Sequence, residues 1–136
     1  MTDQKIVFTS MVADLFHFGH LELLRRCKGL GDFLVVGVIK DEEVLKYKNR
    51  LPVIPFEQRL EIIKQVKFVD KVLPQDDRDG SKNLIKLGKV DFLVRGDDAV
   101  LSKEVKTILS LGGQFVHLKR TPEISTTEII NKIKKA

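Results

Sequence analysis

The chain has 136 residues, 43% of them hydrophobic and 32% charged, with 24 Lys and Arg against 19 Asp and Glu for a formal charge of +5. This is the composition of one globular domain over residues 1–136, and with Cys27 as the single cysteine it excludes disorder, a collagen-like repeat and a disulfide-rich miniprotein. No apolar run reaches the roughly 18 residues of a membrane helix, and Met1 to Phe8 lacks the basic-then-apolar pattern of a secretory signal, so the expectation is a cytoplasmic chain without a membrane partner.

In chain order, short apolar strands alternate with amphipathic helices. Ile6 to Val12 is β-branched and reads as the first strand. Gly19 to Leu30 places Leu21, Leu24, Cys27 and Leu30 at helical spacing, with Gly29 and Gly31 as stop signals. Phe33 to Ile39 is nearly all apolar, as in a strand buried on both faces. Asp41 opens a short helix, and Lys46 to Ile54 loses periodicity and reads as a loop. Pro55 suits the first turn of a helix through Val66, with Phe56, Leu60, Ile63 and Val66 on one face. Phe68 to Leu73 is the third expected strand, stopped by Pro74, and Gln75 to Gly80 is polar and turn-like. A helix over Ser81 to Leu87, a strand over Val90 to Val94, a helix over Ser102 to Leu111, a strand over Phe115 to Leu118 and a closing helix over Ser125 to Lys135 complete the chain.

Such alternation predicts an α/β fold, a Rossmann-like parallel sheet of five strands with helices on both faces. Right-handed crossovers bring the strand-to-helix loops to one edge, where such sheets bind ligands. The loops at that edge are residues 13–19, 41–54, 95–103 and 119–126.

Their residues favour anions. His17 and His20 are three apart, on one side of a helical first turn beside Gly19, and a helix start adds unpaired N–H groups. A metal site competes, with Asp14 the one further ligand in view. Arg120 precedes Ser125, Thr126 and Thr127, where Ser125 and Glu128 have capping-box spacing; the bland reading is a plain helix cap. Lys46, Lys48 and Arg50 form a basic cluster, Arg95-Gly96-Asp97 follows a strand, and His117 reads as a core residue. The absence of Trp, the single Tyr and the lack of interleaved aromatic and basic residues argue against a nucleic-acid partner.

The stretches Asp14-Leu-Phe-His-Phe-Gly-His20 and Arg120-Thr-Pro-Glu-Ile-Ser-Thr-Thr127 together resemble the cytidylyltransferase family, most closely its glycerol-3-phosphate members. Residues 30–38, Glu57-Gln-Arg59, Phe68-Val-Asp-Lys-Val72 and Val94-Arg-Gly-Asp-Asp98 have counterparts there in the same order. The resemblance implies a homodimer that transfers CMP from CTP to a small phosphorylated alcohol, with Mg²⁺ accompanying the CTP. It implies catalytic roles for His17, His20, Lys48 and Arg120. CTP would be held by Val12, Ala13, Asp14, Gly19, Lys67, Arg95, Gly96, Asp97, Arg120, Thr121, Ile124, Ser125, Thr126 and Thr127. The acceptor would meet Lys48, Arg50 and Arg59, and Asp14 is a candidate for touching the metal through water. Met11-Val-Ala-Asp14 replaces the family's usual Gly-Thr-Phe-Asp, and Ala99 stands where the glycerol-phosphate enzymes carry tryptophan. The alternatives are a phosphonate, phosphocholine or phosphoethanolamine acceptor, adenylyl transfer as in the ADP-heptose and FAD synthetase relatives, and a non-catalytic nucleotide-sensing or RNA-binding module.

Overall fold

The computed structural model describes residues 3–96, 100–119 and 125–136. Its strands β1 (Ile6–Met11), β2 (Phe33–Ile39), β3 (Lys71–Gln75), β4 (Phe92–Arg95) and β5 (Gln114–His117) form one parallel sheet in the order β3-β2-β1-β4-β5. The helices are α1 (Phe18–Lys28), α2 (Asp41–Lys48), α3 (Phe56–Lys64), α4 (Ser81–Leu87), α5 (Ser102–Ser110) and α6 (Thr126–Lys135).

Period-two alternation divides the core between the faces of the sheet. Val7 and Met11 of β1, with Leu34, Val36 and Val38 of β2, pack against Leu24 and Cys27 of α1 and Ile63 of α3. Phe8 and Val35 point the other way, toward Leu84 of α4 and Ile108 of α5. Gly37 interrupts the β-branched run of β2 because a Cβ there would sit 2.4 Å from Gln75 Oε1 and 3.0 Å from the Phe8 ring. The chain lays out β1, β2 and β3 in one direction, then crosses back to place β4 on the other side of β1. The gap between β1 and β4 at their carboxyl ends is therefore the switch point where doubly wound sheets bind ligands.

At the amino edge, aspartates hold the strand starts. Asp32 accepts a bond from the Lys5 N–H, Asp91 from Ile6 and Asp70 from Leu34, each at 2.8 Å.

Several expected boundaries move. The third strand is Lys71–Gln75 and runs through Pro74, which pairs with Val38. A proline is tolerated there because β3 is an edge strand and nothing outside it needs its N–H. Pro55 is the N-cap of α3 rather than a first-turn residue. Helix α2 continues to Lys48 and ends on Asn49 at φ 60°, so the expected loop begins later and Lys48 belongs to the last turn of a helix. His117 is exposed, not a core residue, because β5 is the opposite edge strand.

Candidate active site

The site begins where β1 ends. Ala13 and Leu15 have φ of 59° and 49°, a left-handed conformation that costs a residue with a Cβ of order 1 kcal/mol. Asp14, buried between them, holds this turn in place. Its carboxylate accepts the N–H groups of Val53 (2.8 Å) and Ile54 (2.9 Å), and its carbonyl accepts Thr126 Oγ1 at 2.8 Å. Three distant segments thus meet at one residue: the β1–α1 turn, the loop before α3 and the start of α6. Both carboxylate oxygens are engaged, so Asp14 serves as a clasp for the loop.

Two helices open toward this turn. His17 caps α1: its Nδ1 accepts the Gly19 N–H at 2.9 Å, while His20 Nδ1 accepts the His17 N–H at 3.1 Å. The pair makes a reciprocal capping box from imidazoles, where hydroxyl and carboxamide residues are the usual choice. The rings lie 4.0 Å apart, and Phe16 stacks on His20 at 5.4 Å. With Nδ1 accepting, the proton of each neutral ring resides on Nε2, which is left as a donor. Burial, then the neighbouring His17 and Lys48, against the opposing pull of Asp14, hold His20 down to about 3. Burial also lowers His17, with Glu128 opposing. Both rings are neutral hydrogen-bond donors at ordinary pH. Helix α6 is capped by Ser125, whose Oγ accepts the Glu128 N–H at 3.1 Å. The remaining N–H groups of the two helix starts favour an anion between them.

These elements enclose a cleft of about 260 Å³. It brings together Val12, Ala13, Asp14, His17, Gly19, His20, Lys48, Arg50, Arg95, Gly96, Ser125, Thr126 and Thr127 of the expected set. Arg95 is a wall rather than a free arm. Its Nε and Nη2 meet the Glu104 carboxylate at 2.5 and 2.8 Å, and Nη2 also reaches the Arg78 carbonyl at 2.9 Å.

Two expected residues lie elsewhere. Arg59 is 0% exposed and has four of its five N–H donors committed: Nε donates to the Ile54 carbonyl, Nη1 to the carbonyls of Val12 and Ile39, and Nη2 to Asp41. It is not on the cleft wall, and instead ties the ends of β1 and β2 to the loop before α3. Lys67 is exposed beyond the end of α3, ahead of β3 and so at the amino edge, beside the Phe68 ring. Asp97, Ala99, Arg120, Thr121 and Ile124 lie outside the described residues.

Residues 12–132 match the family described as Cytidylyltransferase-like. The chain belongs to the cytidylyltransferase-like family. It is 36% identical over 129 residues to the glycerol-3-phosphate cytidylyltransferase of Bacillus subtilis, covering 95% of this chain and 97% of that one. It is equally 36% identical over 140 residues to the FAD synthase of Pyrococcus horikoshii, covering 97% and 95%. With the ethanolamine-phosphate cytidylyltransferase of Arabidopsis thaliana it shares 33% over 127 residues, or 88% of this chain but only 30% of that protein's length. The chain spans about a third of the length of such larger family members.

Beyond the residues that carry the family resemblance, the cleft also has Ser10, Ile39, Val44, Tyr47 and Arg78 on its wall. Tyr47 falls within the expected loop over Lys46 to Ile54 and Ser10 within the first expected strand; Arg78 sits in a polar turn, Asp76-Asp77-Arg78-Asp79, where it is the lone cation. No helix among the described residues is long and apolar enough to cross a membrane.

Proposed function

We propose that the chain is a nucleotidyltransferase that moves CMP from CTP to a small phosphorylated acceptor and releases pyrophosphate. The observation that carries this reading is the convergence of two helix starts with the Nε2 donors of His17 and His20 in one basic cleft. An acceptor phosphate oxygen attacks the α-phosphorus in line. A new P–O bond forms as the bond from the α-phosphorus to the leaving pyrophosphate oxygen breaks. The reaction requires no protein nucleophile, so the residues act by positioning and by stabilising developing charge. Neutral imidazoles donate to the phosphate oxygens, the helix starts hold the triphosphate, and Lys48 and Arg50 add positive charge.

The described residues do not form a metal cage: no group of three His, Cys, Asp or Glu side chains converges among them, and Asp14 is spent on backbone N–H groups. In our reading Mg²⁺ arrives with the nucleotide's own oxygens and waters, and no side chain is assigned to it. The reading also includes a homodimer in the cytoplasm, with neither membrane nor nucleic acid as partner.

Pyrophosphate release with each of the four nucleoside triphosphates and a panel of phosphorylated acceptors tests the reading. CTP is expected to give the highest kcat/KM. A preference for ATP would assign the chain to adenylyl transfer, the reading that the similarity to an FAD synthase favours. Release with none of the four would leave a binding module.

A further inference from the structure

The cleft has a second lobe on the face of the sheet opposite the histidines. After β3 the chain passes beneath the carboxyl ends of β1 and β4. A Cβ on Gly80 would lie 3.0 Å from the Phe8 ring and 3.3 Å from Ser10 Oγ, which fixes residues 78–80 on the α4–α5 side. Arg78 is mounted there by its main chain: its N–H donates to Glu43 at 2.9 Å, and its carbonyl accepts Arg95 Nη2 at 2.9 Å and Gln75 Nε2 at 3.3 Å. Its guanidinium lies 4.5 Å over the Tyr47 ring and has no ion pair or hydrogen bond among the described residues. A rigid mount, a stacked plane and unclaimed donors are what a recognition arginine needs. Beside it Ser10, 6% exposed, holds an Oγ that has no hydrogen-bond partner among the described residues. Buried hydroxyls are normally satisfied, so this lobe carries a second unspent polar group.

Charge selects the ligand. Among the described residues Asp14 is the one carboxylate on the cleft wall, and the N–H groups of Val53 and Ile54 occupy it. An ammonium group would find no unengaged carboxylate among the described residues of the wall. The Tyr47 ring that could receive a cation already lies under a guanidinium. An oxyanion would find the forked donors of Arg78.

We propose that Arg78 is a specificity-determining residue that selects acceptor phosphates whose far end carries an oxyanion, and that it discriminates against acceptors ending in an amine. This rests on the transferase reading above and adds the chemical class of its acceptor. It separates the chain from the ethanolamine-phosphate enzymes that it resembles in sequence.

The test uses phosphoglycolate, glycerol 3-phosphate and phosphoethanolamine, which share a phosphate monoester and end in a carboxylate, hydroxyls and an ammonium group. Both kcat/KM and the calorimetric Kd are measured for wild type, Arg78→Gln and Arg78→Glu, with unchanged thermal midpoints as the control for folding. Phosphoglycolate is expected to exceed phosphoethanolamine by about tenfold or more in wild type, the range for a charge-assisted bond. Arg78→Gln is expected to bring the ratio near one, and Arg78→Glu to invert it. Phosphoethanolamine used as well as phosphoglycolate by wild type, or a ratio that neither variant moves, overturns the proposal. Absence of turnover with every nucleotide overturns the transferase reading instead, and the calorimetric ratio then decides the subsite by itself.

Discussion

Each histidine of the site does two things with one ring: Nδ1 closes a helix start and Nε2 remains to donate. Substitutions can separate the two. Alanine at position 17 or 20 removes both, and is expected to cost about 1 kcal/mol of stability for the lost cap together with roughly 10²–10³-fold in kcat for the lost donor. Asparagine places an amide oxygen near the Nδ1 position, so His17→Asn and His20→Asn are expected to keep the thermal midpoint and still lose the turnover. If the asparagine variants retained turnover, the donor role would be wrong. The same geometry fixes the pH response. A second proton would have to enter at Nδ1 and break a cap, so His20, held down to about 3, stays neutral from pH 8 to pH 5. Between its folded value and the ordinary 6.5 the unfolded chain binds the extra proton. This contribution is therefore complete above pH 6.5 and declines as pH falls, by at most about 1.4 kcal/mol per pH unit. Nitrogen NMR is expected to show the Nε2–H tautomer throughout that range. Denaturation between pH 6.5 and 4.5 is expected to be less pH-sensitive in His20→Asn than in wild type.

Among the elements, the loop before α3 is the most dependent on single side chains. The sequence reads it as loose, yet Asp14 and Arg59 fasten its end without any ligand. Arg59→Ala removes four hydrogen bonds from a buried position and leaves the carbonyls of Val12, Ile39 and Ile54 without that donor, and is expected to cost roughly 3–5 kcal/mol, visible as a drop in the denaturation midpoint. Asp14→Asn turns one acceptor into a donor that faces an N–H. Hydrogen exchange at Val53 and Ile54 is expected to speed up by about tenfold or more, and unchanged protection would show that Asp14 is not the clasp. The burial of Arg59 was partly legible, since it lies three residues after Phe56 and four before Ile63, a charge set within an apolar helical stripe. Other features were not. Pro74 looks like a terminator until β3 is known to be an edge, and His117 looks internal until β5 is known to be one. Edge position is a property of the sheet order, which local pattern does not contain.

Across the whole molecule, alternation of apolar strands with amphipathic helices was enough to anticipate the parallel sheet and the edge that carries the cleft, because each βα unit leaves few ways to bury both faces. The histidine half of the cleft was equally legible, since its parts are neighbours in sequence. The Arg78 half was not: it joins a turn after β3, a tyrosine on α2 and the end of β1, positions that only the crossing of the chain beneath the sheet unites. That crossing depends on a close fit. Gly37→Ala would push a methyl group onto Gln75 and Phe8 and is expected to destabilise the fold by about 1–3 kcal/mol in chemical denaturation. Gln75 in turn grips the carbonyls of Asp77 and Arg78, and Glu43 and Arg95 grip other main-chain atoms of the same turn. Main-chain atoms are common to nearly all residues, so the half-buried side chain at position 78 can be exchanged while the turn keeps its shape. The turn that carries His17 and His20 is held by other bonds, those of the histidine caps and of Asp14. On the proposed reading, one half of the cleft can thus be rewritten in descent while the other is inherited intact, so that a single scaffold would serve acceptors of opposite charge without rebuilding its chemistry.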